Sequence, residues 1–308
     1  MLSFEVPEGY RFDFEEYLFN TERHRLTQAK DGWKSFYWLD KKRKLVKASF
    51  HVHVDGNVAR SPYRATFGGV DFSSNMSQKH LTVFIQSVEK FLMDINIQTF
   101  QIIMSPQHHN NSSFSKHFQA LVDNGFGNLK SDLTAVIKIN SNSFESRISN
   151  SARLNLKKSK NLIFSRHDKE QYTEIYDVIK ESRKERGYEI SMTKSQLIKL
   201  AEQIASKTHF FGVYKNDVLV GGAVCFEVSN RVLYAFYVGH LKSFETLNPT
   251  GYLYSQVYKF CQENNFELLD LGTSAENGKT KFSLLEFKQS IGAEPSLKLT
   301  FSKKKLDD

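Results

Sequence analysis

Apolar positions along the chain follow two periods, and the order in which those periods alternate occurs twice. From Phe36 to Val54, "FYWLDKKRKLVKASFHVHV" predicts two strands around a basic turn. "VARSPYRATFGGVDF" (58–72) predicts a further strand ending in a glycine turn. "SQKHLTVFIQSVEKFLMDIN" (77–96) then changes period, with Leu81, Phe84, Ile85, Val88, Phe91 and Leu92 at helical spacing. A strand "IQTFQIIMS", a helix "SFSKHFQALVDNGF" and a strand "LTAVIKI" complete the first series.

The second series has the same order. "FFGVYKNDVLVGGAVCFEV" (210–228) predicts a hairpin turning at "KND", and "RVLYAFYVG" the next strand. "PTGYLYSQVYKFCQENN" predicts a helix, "FELLDLG" a buried strand, "KTKFSLLEFKQSIG" a helix and "SLKLTF" the last strand. The segment between the series, "SNSFESRISNSARLNLKKSKN", is Ser/Asn-rich and then basic. The expected division is therefore 1–145 and 146–308, each an α/β unit with a mixed central sheet and helices on both faces.

Composition supports packed cores: 308 residues, 13% aromatic with 26 Phe, and 5 Pro. The two cysteines, Cys225 and Cys261, lie in strand-like and helix-like runs without metal or disulfide spacing, so a reduced, cytoplasmic setting is expected. The start of the chain lacks a basic segment followed by an apolar one, and no window reaches 18 apolar residues; neither a signal peptide nor a transmembrane segment is expected. The net charge of +8 gathers at Lys41–Lys44, Arg153–Lys160 and Lys303–Lys305. It suits nucleic acid, a phosphorylated substrate or an anionic membrane face as well as an ordinary solvated surface, although the clusters interleave with few aromatics and do not indicate a dedicated nucleic-acid platform.

One helix breaks its own pattern. At about 100° per residue, Leu284, Leu285, Phe287 and Ile291 of "KFSLLEFKQSIG" share an arc that also contains Lys288, while Ser283, Glu286 and Ser290 lie opposite. A lysine there snorkels, pairs or faces a cavity. In a site, its ammonium would stabilise a developing negative charge or hold a phosphate.

The order of hairpin, strand, helix, strand, helix, strand resembles the GNAT acyltransferase fold. Two such units in tandem resemble the Fem-type and Fem-like aminoacyltransferases of bacterial envelope-polymer pathways. The resemblance is clearest in "LLDLGTS" followed by "LLEFKQSIGAEP", in "ARLNLKKSKN" at the entry to the second unit, and in "SPYRATFGGVDF" in the first. It implies two tandem GNAT-like (acyl-CoA N-acyltransferase-like) units and places Lys288 at the acyl-transfer centre. "SFETLNPTGYLYSQ" lacks the Arg/Gln-x-x-Gly-x-Gly/Ala pattern that precedes the CoA-binding helix of GNAT enzymes, and the helical arm some Fem enzymes insert is missing. Acyl-CoA is the expected donor, aminoacyl-tRNA-dependent transfer to a peptidoglycan precursor is the alternative, and a GNAT-like binding module without catalysis stands beside both enzyme readings.

The remaining candidates follow from that frame. Thr250, Gly251 and Tyr252 open a helix whose free N–H groups suit a donor phosphate, with Val238 on the strand before it. Arg64, Tyr237 and Lys281 are candidates for substrate binding, and Asp71 for the base that takes the amine's proton. Tyr237, like Tyr234, also reads as core packing, and Asp71 as a turn cap. His51, His53 and His108–His109 lack a third ligand at fitting spacing, so no metal is expected. The expected acceptor is a small-molecule or lipid-linked phosphorylated envelope precursor, with peripheral contact to an anionic membrane as a further expectation.

Overall fold

The computed structural model describes residues 1–276 and 278–304. The chain forms two compact units, Met1–Leu133 with the chain from Ser296, and Thr134–Pro295.

In the first unit, β1 (Trp33–Asp40), β2 (Leu45–Asp55) and β3 (Val58–Ser61) run antiparallel, and β4 (Val70–Phe72) pairs with β2. Helix α1 (Gln78–Asp94) starts where Ser77 accepts a hydrogen bond from the His80 N–H, and it buries Leu81, Phe84, Ile85, Val88 and Leu92. β5 (Thr99–Ile103) lies parallel to β3, and α2 (Asn111–Asp123) is capped by Asn110. The first core gathers Phe36, Phe50, Phe84, Phe100 and Phe301. β6 (Gly127–Lys138) begins in this unit and ends in the next.

In the second unit, α3 (Asn150–Leu156) buries none of its residues, and β7 (Ile163–His167) precedes α4 (Tyr172–Lys184) and α5 (Lys194–Gln203). β8 (Thr208–Lys215) and β9 (Val218–Ser229) form the expected hairpin. Asn216 and Asp217 at its turn both have positive φ (46° and 63°), the geometry that matches the twist of the two strands. β10 (Val232–His240), α6 (Pro249–Glu263), β11 (Leu268–Thr273) and α7 (Phe282–Ser290) follow. The strand order is β6-β11-β10-β9-β8-β7, with β10 and β11 parallel and the rest antiparallel. Leu233, Leu253, Val257, Tyr258 and Leu269 fill the second core.

The expected boundary at 145/146 needs correction. "LTAVIKI", expected to close the first unit, pairs with β11 through Val136↔Asp270 and Lys138↔Leu268. The C-terminal strand Glu294–Lys304, expected to close the second, pairs with β5 through Thr300↔Ile103 and Lys304↔Thr99. Each open sheet edge is thus covered by the strand assigned to the other series. Alternation specifies that a strand has a buried face; it does not specify the partner. Of the basic clusters, Lys305 lies outside the described residues. Among the described residues no helix is long and apolar enough to cross a membrane.

Candidate active site

In the second unit two parallel strands start as a ladder and then part. β10 and β11 pair at Val232↔Leu268, Leu233↔Leu269 and Tyr234↔Asp270, and there the ladder stops. β10 continues to His240 against β9, and β11 continues to Thr273 against β6, with a register shift between Asp270 and Thr273. Past Tyr234 and Asp270 the facing backbone edges therefore have room between them, a common origin of ligand sites in such sheets.

The far wall of this opening is a strained turn. Gly272 has φ +72°, and a Cβ there would lie 3.3 Å from the Tyr234 ring. Both facts call for glycine. The carboxylate of Asp270 accepts from the Gly272 N–H at 2.7 Å and fixes the turn from inside. The carbonyls of Gly272 and Thr273 point to α7, and the Lys288 Nζ donates to each at 2.8 Å. Lys288 is 3% exposed and shares its helix face with buried Leu285 and Ile291, the face the sequence places it on. Its ammonium is thus held at the mouth of the splayed strands by two carbonyl dipoles, not extended into water. Ser274 follows directly and is fully buried.

The second wall is the start of α6. Asn248, in the left-handed conformation at φ 54°, caps the helix: its Oδ1 accepts from the Gly251 N–H at 3.3 Å, and its carbonyl accepts from the Tyr252 N–H. Pro249 has no N–H. Of the first-turn groups expected to bind a phosphate, Asn248 already holds that of Gly251, and Tyr252 is half-buried with its phenol pushed up by burial. Val238 packs against the second core.

Thr250 belongs to a relay that spans 64 residues of sequence. The Arg186 Nη2 lies 2.8 Å from His240 Nε2, and His240 Nδ1 lies 2.7 Å from Thr250 Oγ1. A guanidinium only donates, so Nε2 accepts, the imidazole proton sits on Nδ1, and Thr250 Oγ1 accepts it. The hydroxyl hydrogen of Thr250 is left to point elsewhere. Burial, and then the Arg186 charge, lower the His240 pKa to about 4, so the ring is neutral near pH 7. Neither Arg186 nor His240 stands out in the sequence, since no local spacing links them.

A small cavity of about 70 Å³ adjoins the same helix start, lined by Asn248, Gly251, Phe287, Ser290 and residues of α3. α3 carries Arg153, and the short 3₁₀ turn after it and the next residue carry Lys157, Lys158 and Lys160, all four exposed.

The other predicted residues are placed as follows. Lys281 precedes α7 in extended conformation and so is not on the helical face; its Nζ pairs with Glu276 at 3.1 Å and lies 4.5 Å from the Tyr188 ring. Tyr237 is buried, with its hydroxyl hydrogen-bonded to Ser191 and the Arg183 guanidinium over its ring. In the first unit, Arg64 is exposed and stacks on Tyr63, which stacks in turn on His53. Asp71 is buried; its Oδ2 accepts from the Tyr17 N–H and the Asn20 Nδ2, both at 2.9 Å. Burial raises its pKa well above the usual carboxylate value despite those two donors. His51 bonds Ser35 and Glu16.

Residues 143–288 match the model of the acetyltransferase (GNAT) domain. No curated protein matches the sequence. The chain is similar to the crystal structure of FemX, with a TM-score of 0.73 at 12% identity over 94% of this chain and 92% of that one. A tandem GNAT protein from the clavulanic acid biosynthesis pathway (7% identity, 90% and 84% covered) and L-PGS from Bacillus licheniformis (9%, 89% and 84%) each give a TM-score of 0.53. The fold is that of FemX and of tandem GNAT proteins, and the stretch that matches the GNAT domain model lies almost wholly in the second unit.

Proposed function

We propose that the protein is an N-acyltransferase that moves an acyl group from an activated, phosphate-bearing carrier to an amine of a cell-envelope sugar, peptide or lipid-linked precursor. The observation that carries this reading is Lys288: a buried ammonium held by the Gly272 and Thr273 carbonyls where β10 and β11 part. An acyl carbonyl inserted between the parted strands would meet a positive group already oriented and already desolvated. Such a group stabilises the developing oxyanion more than the neutral carbonyl, which is what accelerates the step. Asp71 is the proposed base of the first unit. A carboxylate whose pKa is raised by burial is better matched to an ammonium proton near neutral pH than an exposed one.

Acyl-CoA and aminoacyl-tRNA are the two carriers. At the start of α6, Pro249 lacks an N–H and Asn248 occupies that of Gly251, which leaves few groups for a CoA pyrophosphate. This favours an aminoacyl-tRNA ester, with the exposed Lys157, Lys158 and Lys160 available to RNA phosphates. Hydroxylamine serves as a surrogate acceptor: purified protein is incubated with acetyl-CoA, with alanyl-tRNA and with neither, and hydroxamate is measured above the uncatalysed rate. Product in one donor arm assigns the carrier. Product in neither, together with no thermal shift from either donor, overturns the acyltransferase reading.

A further inference from the structure

We propose that the Ser274 hydroxyl is a second hydrogen-bond donor to the acyl oxygen, acting beside Lys288. The inference rests on the acyltransferase reading and adds a catalytic residue to it. Ser274 is 0% exposed, and its Oγ is buried without a hydrogen-bond partner. Among the described residues it is the buried hydroxyl left in that state. A serine rotor has three staggered positions and ordinarily finds a carbonyl in one of them, so an orphan in a packed interior calls for a reason.

Its position supplies one. The carbonyl of the preceding residue, Thr273, is one of the two that Lys288 grips at 2.8 Å. Ser274's own carbonyl accepts from the Lys281 N–H at 2.8 Å, the residue just before α7. The serine backbone is thus pinned on both sides, by the helix that carries the ammonium. It lies one residue past the last pair of β11, on the strand that has parted from β10. A hydroxyl fixed there and left unsatisfied is what a site needs if the missing partner arrives with the substrate. Preorganised donors that need no reorientation during the reaction give the largest electrostatic stabilisation.

The amine lone pair bonds to the acyl carbon, and the carbonyl π pair moves onto oxygen. That oxyanion is met by an N–H of Lys288 and the O–H of Ser274. The pair returns, the bond to the carrier's sulfur or ribose oxygen breaks with its electrons, and the amine loses its proton to water. Ser274 keeps its own proton and forms no covalent bond.

Ser274→Ala separates this role from a structural one, because alanine removes a buried group that has no partner. Hydroxamate formation is followed with acetyl-CoA and with alanyl-tRNA as donors, alongside thermal unfolding. The expected result, for the donor used by the wild type, is a kcat lower by roughly 100-fold, a KM within about twofold, and a melting temperature equal to or above that of the wild type. A kcat within about twofold of the wild type overturns the proposal, as does a loss of kcat that tracks a lower melting temperature. Hydroxamate from neither donor with the wild type removes the acyltransferase reading itself and this proposal with it.

Discussion

The Lys288 Nζ donates to the Gly272 carbonyl at 2.8 Å across 16 residues of sequence, and this bond ties the chemistry of the site to a glycine held in the left-handed conformation. A buried ammonium must be paired or hydrogen-bonded to stay charged. Here carbonyl dipoles take part in that, and their direction is set by the left-handed turn at Gly272.

Lys288→Met is expected to lower turnover by roughly 10²- to 10³-fold, the cost of losing one oxyanion donor. It also leaves the buried Gly272 carbonyl without this donor, which costs about 1–3 kcal/mol, and the less buried Thr273 carbonyl at a smaller cost. Activity is therefore compared well below the variant's melting temperature. Undiminished hydroxamate formation by a folded Lys288→Met protein would show that the lysine is only structural.

Gly272→Ala tests the same bond from the other end. The left-handed conformation costs a non-glycine residue roughly 1–2 kcal/mol, and the added methyl meets the Tyr234 ring at 3.3 Å. The expected outcome is a lower melting temperature by several degrees with a fall in kcat larger than that in donor affinity, because the carbonyl aiming Lys288 is displaced. Equal stability in the variant would mean that the turn is not strained.

How much of this was legible beforehand differs by element. The arc of Leu285, Lys288 and Ile291 was readable from helical spacing alone, because burial of a helix face follows from a local period. Lys281 was not: counting it into the helix assumed the turn before Phe282 was helical, whereas Lys281 is extended and Phe282 is 70% exposed. The exchanged closing strands were not legible, since a strand carries no mark of its partner. The Arg186–His240–Thr250 relay and the positive φ of Gly272 were also invisible, the first because its members meet only through the fold. A glycine after a buried strand does signal a turn, and reading "LGTS" that way would have drawn attention to Ser274.

Asp71→Asn preserves shape and an acceptor for the Tyr17 N–H while removing the titrating group. Because burial disfavours the charged form of Asp71, the amide is expected to leave the melting temperature near neutral pH unchanged or raised. Hydroxamate formation should fall at least tenfold if Asp71 is the base, since a general base contributes roughly 10²- to 10⁴-fold. The acidic limb of the pH profile should disappear as well. A variant with unchanged rate and an unchanged profile would assign Asp71 to anchoring the Leu18–Asn20 turn and nothing more.

The pH dependence of stability has a definite sign. Burial lowers the pKa of His24, His117 and His240 to about 4, against an ordinary value of 6.5. Between those values the unfolded chain binds protons that the folded chain does not, so stability is complete above about pH 6.5 and is lost as pH falls toward 4. For His24 and His117, the most deeply buried of the three, the loss approaches about 3 kcal/mol each. Asp71 acts in the opposite sense over its own range, since its raised pKa lets the folded state keep a proton that the unfolded state gives up, and it offsets part of the slope. His117 Nε2 has no hydrogen-bond partner, so His117→Leu removes a titrating group at small structural cost. Urea unfolding at pH 7, 5.5 and 4.5 should show a shallower decline for this variant than for the wild type. Parallel declines would mean that His117 is protonated as readily in the folded protein as in the unfolded chain.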